Sequence, residues 1–124
     1  MAESIANKVA WITGGGSGIG AAMALEFAAR GATVVVSGRR EDKLQGVVGA
    51  IKSAGGKAQS LACDVTDEDR VAACVKEIVS DFGSLDIVVA NAGFGVAGRF
   101  EGISTEQWKR QLDTNVIGVV NTLR

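Results

Sequence analysis

An apolar segment at residues 8–13 runs straight into Gly14-Gly15-Gly16-Ser17-Gly18-Ile19-Gly20, with no spacer between them. Glycine reaches left-handed backbone and lets main chain approach another group closely, so the chain must turn sharply at this point. Beyond the turn Ile19, Met23 and Phe27 recur at helical spacing, and Gly31 supplies the stop. A strand entering a helix through such a turn is the first piece of a βα unit, and the remaining sequence has to be compatible with it.

The remaining sequence repeats the alternation. Residues 33–37 form a β-branched run without polar alternation, the pattern of a strand covered on both faces. Leu44, Val47, Val48 and Ile51 follow at helical spacing and end at Gly55-Gly56, after which residues 58–62 make a third strand. Thr66 with Asp69 predicts a capping box for a helix whose stripe is Val71, Cys74, Val75, Ile78, Val79 and Phe82, closed by Gly83. Residues 86–90 read as a fourth buried strand. A glycine-rich stretch over residues 91–102 then leads to Ser104 and Gln107, the start of a last helix carrying Trp108, Leu112, Val116, Val119 and Leu123. A chain of 124 residues holds one such domain. The expected fold is α/β, a Rossmann-like doubly wound parallel sheet with strands in the order 3-2-1-4, binding its ligand at the switch point between strands 1 and 4.

Composition removes several function classes. With 22% charged residues and a formal net charge of −1, the chain has no broad positive field for nucleic acid or an anionic membrane. Apolar runs such as Val34-Val35-Val36 are far too short to span a bilayer, and the opening Met1-Ala2-Glu3-Ser4 has no apolar leader core, which gives a cytoplasmic reading. Cys63 and Cys74 lack metal-ligand spacing and read as small buried thiols, so no metal site is expected. The chain has no His and no Tyr, so neither imidazole nor phenol is available to it as an acid or base.

Spacing separates the known phosphate loops. The common dinucleotide fingerprint needs glycines at i, i+2 and i+5, and no start between positions 13 and 20 meets it. A P-loop needs Lys after its last glycine, where this chain has Ala21. The pattern that fits is Thr13-Gly14-x-x-x-Gly18-x-Gly20, and in it the chain resembles the short-chain dehydrogenase/reductase family. The resemblance implies that Gly14, Ser17, Gly18, Ile19 and Gly20 receive a dinucleotide pyrophosphate on free N–H groups at a helix start.

A site for NAD usually carries an acid at the end of strand 2 for the ribose 2′-hydroxyl. Here the sequence is Ser37-Gly38-Arg39-Arg40. Two Arg residues opening a helix oppose its dipole unless an anion lies near, and a guanidinium makes paired hydrogen bonds to phosphate oxygens. NADP(H) is therefore the expected cofactor in preference to NAD(H), with Arg39 first and Arg40 and Ser17 in support. The competing reading leaves both Arg residues solvated and offset by Glu41 and Asp42.

Two further signatures resemble the family. Asp64-Val65 follows strand 3, and the family's matching residues contact the adenine. Asn91-Ala92-Gly93 follows strand 4 and matches the turn that packs beneath the cofactor. The family's usual motif has Asn before it, where this chain has Ala90. Taken alone, Asp64 also suits a turn before the Thr66 cap. Asn115 lies on the apolar face of the last helix, where an amide needs partners. The resemblance places it in an Asn-Ser-Tyr-Lys tetrad as the residue that organises a proton-relay water.

The resemblance spans the whole chain but only the first half of the family's usual length. It implies an NADP(H)-dependent oxidoreductase acting on a carbonyl or alcohol, with residues 1–124 forming a single cofactor-binding domain cut before the catalytic Ser, Tyr and Lys and inactive by itself. The alternative is a half-domain that binds NADP(H) without catalysis, as a sensor or as part of a split assembly. The expected partners are a small-molecule substrate and a second copy of the chain meeting through the last helix.

Overall fold

Odd and even positions of the central strands part into two cores, and that separation sets the architecture. The computed structural model describes residues 5–91 and Glu106. Among them the order is β1 (Val9–Thr13), α1 (Gly18–Ala29), β2 (Thr33–Gly38), α2 (Glu41–Ser53), β3 (Lys57–Ala62), α3 (Glu68–Phe82) and β4 (Ile87–Val89). Ile12, Val34 and Val36 face one side of the sheet and pack with Ala24 of α1 and Leu44, Val47, Val48 and Ile51 of α2. Val9, Trp11, Val35 and Leu61 face the other and pack with Val71, Cys74 and Ile78 of α3. Because side chains alternate along a strand, one β-branched run serves both cores.

The sheet is parallel, in the order β3-β2-β1-β4, as its alternation of strands and helices requires. Thr13 pairs with Ser37 and Ser37 with Leu61, so the carboxyl ends of β1, β2 and β3 lie level. The chain steps outward from β1 to β3 and then returns to place β4 on the other side of β1, which opens a crevice at that end of the sheet. Among the described residues no helix is long and apolar enough to cross a membrane.

Four local expectations change. Asp67, not Thr66, caps α3, its carboxylate accepting from Arg70 N–H at 3.1 Å. Thr66 is already committed to Asp64, whose Oδ1 accepts from its N–H at 3.0 Å and its hydroxyl at 2.7 Å. Ile19 leaves the packed stripe of α1 and is 74% exposed, the inward positions being Gly20 and Ala24. Val79 likewise turns outward on α3. β4 is shorter than expected, and its Val88 is exposed because β4 pairs only with β1 among the described strands. Both cysteines are free and buried against α3, as expected of small apolar thiols. The two also meet: a hydrogen bond between them pushes the Cys63 thiol up and the Cys74 thiol down. The last helix, with Trp108 to Leu123, lies outside the described residues, and so does the oligomer contact expected through it.

Candidate functional site

The glycine loop leaves β1 at Thr13 and becomes α1 at Gly18. Gly14 and Gly18 take φ values of 66° and 58°, in the left-handed region that a side chain strains. A Cβ at Gly20 would collide with the carbonyl of Gly14 and with Asn91 Nδ2, so this glycine answers to the protein's own packing. Ser17 occupies the N-cap of α1, but its hydroxyl makes no capping bond, and the first turn holds no acid. The N–H groups of Gly18, Ile19 and Gly20 precede the first intrahelical bond and concentrate the positive end of the helix dipole at an exposed turn. Such a turn is suited to an anion.

Thr13 and Asn91 join the loop to β4. The Thr13 hydroxyl donates to the Val89 carbonyl at 3.3 Å and accepts from Asn91 N–H at 3.0 Å. Asn91 Nδ2 donates to the Gly14 carbonyl at 3.3 Å. Gly14, Gly20 and Asn91 are thus brought together at the switch point. Thr13 opens the glycine motif in the sequence but has no role assigned there; its bonds show that it ties the loop to β4.

The second cluster stands over β2 and β3. Arg39 Nε lies 3.5 Å from Asp64 Oδ2, both side chains being nearly half exposed. Burial pushes the Asp64 carboxyl up, but the two bonds from Thr66 and the charge of Arg39 outweigh that and hold it below its ordinary value. Asp64 is therefore the turn acid that the sequence allowed, and it also faces Arg39. Thr66 was missed as its support, although Asp-x-Thr is the sequence of an Asx turn. Arg40 is the exposed N-cap residue of α2 and makes no capping bond. The Glu41 carboxylate accepts from Gln45 at 2.8 Å and from the Ser60 hydroxyl at 3.0 Å, and with Asp42 it places two acids in the first turn of α2 beside Arg40. Val65 is buried. Gly15 N–H donates to the Ser37 carbonyl at 3.1 Å, which ties the loop to the end of β2. Ala92, Gly93 and Asn115 lie outside the described residues.

Residues 8–124 match the family model for short chain dehydrogenase. The chain is 41% identical over 110 residues to a 3beta-hydroxysteroid dehydrogenase of Mediterraneibacter gnavus, covering 88% of this chain and 40% of that protein. A metagenomic short-chain oxidoreductase solved in complex with NADP superposes with a TM-score of 0.90 and 35% identity, covering 98% of this chain and 56% of the other. An NAD+-bound xylitol dehydrogenase does so with a TM-score of 0.92 and 31% identity, over 98% and 47%. The chain spans about half the length of the proteins it matches, or less. The fold thus occurs with either nicotinamide cofactor, and the strand order, the loop and the match over nearly every residue agree: the chain belongs to the short-chain dehydrogenase family of oxidoreductases.

Proposed function

We propose that these residues form the cofactor-binding half of an NADP(H)-dependent oxidoreductase that transfers hydride between the nicotinamide and a carbonyl or alcohol substrate. The observation that carries the cofactor preference is Arg39, which stands just past the end of β2 with its guanidinium held by Asp64 at 3.5 Å. No acid occupies the end of β2 to meet a ribose 2′-hydroxyl, and a fixed guanidinium there suits a 2′-phosphate.

The residues fit the cofactor on their own geometry: an uncapped helix start behind a glycine turn, and a cation beside it at the same edge of the sheet. Gly14, Ser17, Gly18, Ile19 and Gly20 would hold the pyrophosphate, Arg39 with Arg40 the 2′-phosphate, Asp64 and Val65 the adenine, and Asn91, Ala92 and Gly93 the floor beneath it. When bound, the nicotinamide supplies or accepts the hydride. Asn115 keeps its proposed part in positioning a relay water. The proton donor has to come from outside these residues, which contain no Tyr and no His, so by themselves they do not turn over substrate.

The test is Arg39→Ala with both cofactors titrated by fluorescence. A guanidinium bonded to phosphate predicts a loss of about tenfold or more for NADPH, with NADH nearly unchanged. Equal losses for the two would overturn the preference. Turnover by the 124-residue polypeptide without a partner chain would overturn the division of labour.

A further inference from the structure

The inference rests on the 2′-phosphate reading above and adds a residue to that subsite. Gly16, in the middle of the loop, packs on the first turn of α2: a Cβ placed there would lie 3.2 Å from Lys43 Cβ and 3.5 Å from Leu44 Cδ2. Leu44 is fully buried, and its Cδ2 would stand 3.6 Å from a Cβ at Gly38. It therefore fills the gap between the loop and the end of β2 and fixes the rotation of α2 about its axis. That rotation roots the exposed Lys43 beside the loop, on the edge of the sheet where Arg39 stands.

Cations at the positive end of a helix favour an anion nearby. Arg40 and Lys43, three residues apart, share one side of the helix, and both lie at its positive end. Two of the acids near them are engaged by other groups. Glu41 bonds Gln45 and Ser60 on the β3 side. Asp64 is engaged by Thr66 and Arg39. Asp42 adjoins Lys43 in sequence, a spacing at which helical side chains do not face each other.

We propose that Lys43 is a specificity-determining residue for NADP(H), its ammonium holding the 2′-phosphate from the glycine-loop side while Arg39 holds it from the β2 side. The two cations are complementary. The guanidinium is a planar fork steadied by Asp64, and the ammonium is a compact charge on a flexible stem that can follow the phosphate.

The experiment is a fluorescence titration of NADPH and NADH on the full-length protein that carries these residues, as wild type, Arg39→Ala, Lys43→Ala and Lys43→Arg. Lys43→Ala is expected to weaken NADPH about five- to tenfold and NADH less than about twofold, with Lys43→Arg retaining most of the affinity. If Arg39→Ala weakens NADPH selectively and Lys43→Ala does not, the role of Lys43 is overturned and the 2′-phosphate reading stands. Equal losses of both cofactors in Lys43→Ala would mean that the residue supports the loop rather than the phosphate, and would also overturn it. Wild-type protein that binds the two cofactors equally would overturn both readings.

Discussion

Trp11 Nε1 donates to Ser37 Oγ at 2.8 Å across β1 and β2, and both side chains are fully buried. Trp11 pairs in register with Val35, so Ser37 is its diagonal neighbour on the sheet face beneath α3. The hydroxyl gives the indole N–H an acceptor where no water reaches. Ser37→Ala should therefore cost about 1–3 kcal/mol, the penalty of a buried donor left unmade. Urea unfolding followed by far-ultraviolet circular dichroism measures it, and a double-mutant cycle with Trp11→Phe isolates the bond from the lost packing. A coupling energy near zero would show that the bond contributes nothing to stability.

Gly18 and Gly20 should fail in different ways. Gly18→Ala meets open space at a φ of 58°, so only backbone strain opposes it, about 1–2 kcal/mol. Gly20→Ala drives a methyl into the Gly14 carbonyl and Asn91, which forces the loop away from β4. The expected result is a melting point lowered more by Gly20→Ala than by Gly18→Ala. Cofactor binding should be lost in the former even at temperatures where it remains folded. Equal melting points would remove the structural role assigned to Gly20.

The fold was legible because its signals are local and repeated. The valines of β2 and the stripe Leu44, Val47, Val48 and Ile51 could only be buried one way, and the structure buries them so. The loop was legible from glycine spacing alone. Less legible were features that depend on a second segment. Asp67 takes the α3 cap only because Asp64 has engaged Thr66. Ile19 has helical spacing with Met23, yet Gly20 faces the sheet in its place, because the main chain of α1 must lie close to Gly14. The approach of Lys43 to Gly16 joins residues of two elements that no pattern within either one records.

Two glycines on α2 have no such reason to be there. Gly46 and Gly49 are exposed in the middle of the helix, and an added methyl at either meets nothing. Each costs backbone entropy that alanine does not, so Gly46→Ala and Gly49→Ala should each stabilise by about 0.5–1 kcal/mol and nearly add. Thermal denaturation of both single variants and the double variant checks this. Destabilisation by either would point to a contact made by that face in a larger assembly.

Acid should weaken this fold through two carboxylates. The main-chain bond from Val9 N–H outweighs desolvation and, with Ser84 and Lys8, holds Asp86 below its ordinary value, as the bonds from Thr66 and the charge of Arg39 do for Asp64. A depressed pKa contributes stability that is fully present above the unfolded value, here 3.8, and is lost as pH falls through the folded one. The urea midpoint should therefore hold steady from neutral pH to about pH 5 and decline below about pH 4, with no imidazole to add a step near pH 6. Asp64→Asn can keep the turn to Thr66 but gives up the charge facing Arg39. It should lower stability at neutral pH and flatten part of the acid decline, and Asp86→Asn should flatten another part. An acid limb unchanged by both substitutions would assign the pH dependence to other carboxylates and leave the Arg39–Asp64 pair without a part in stability.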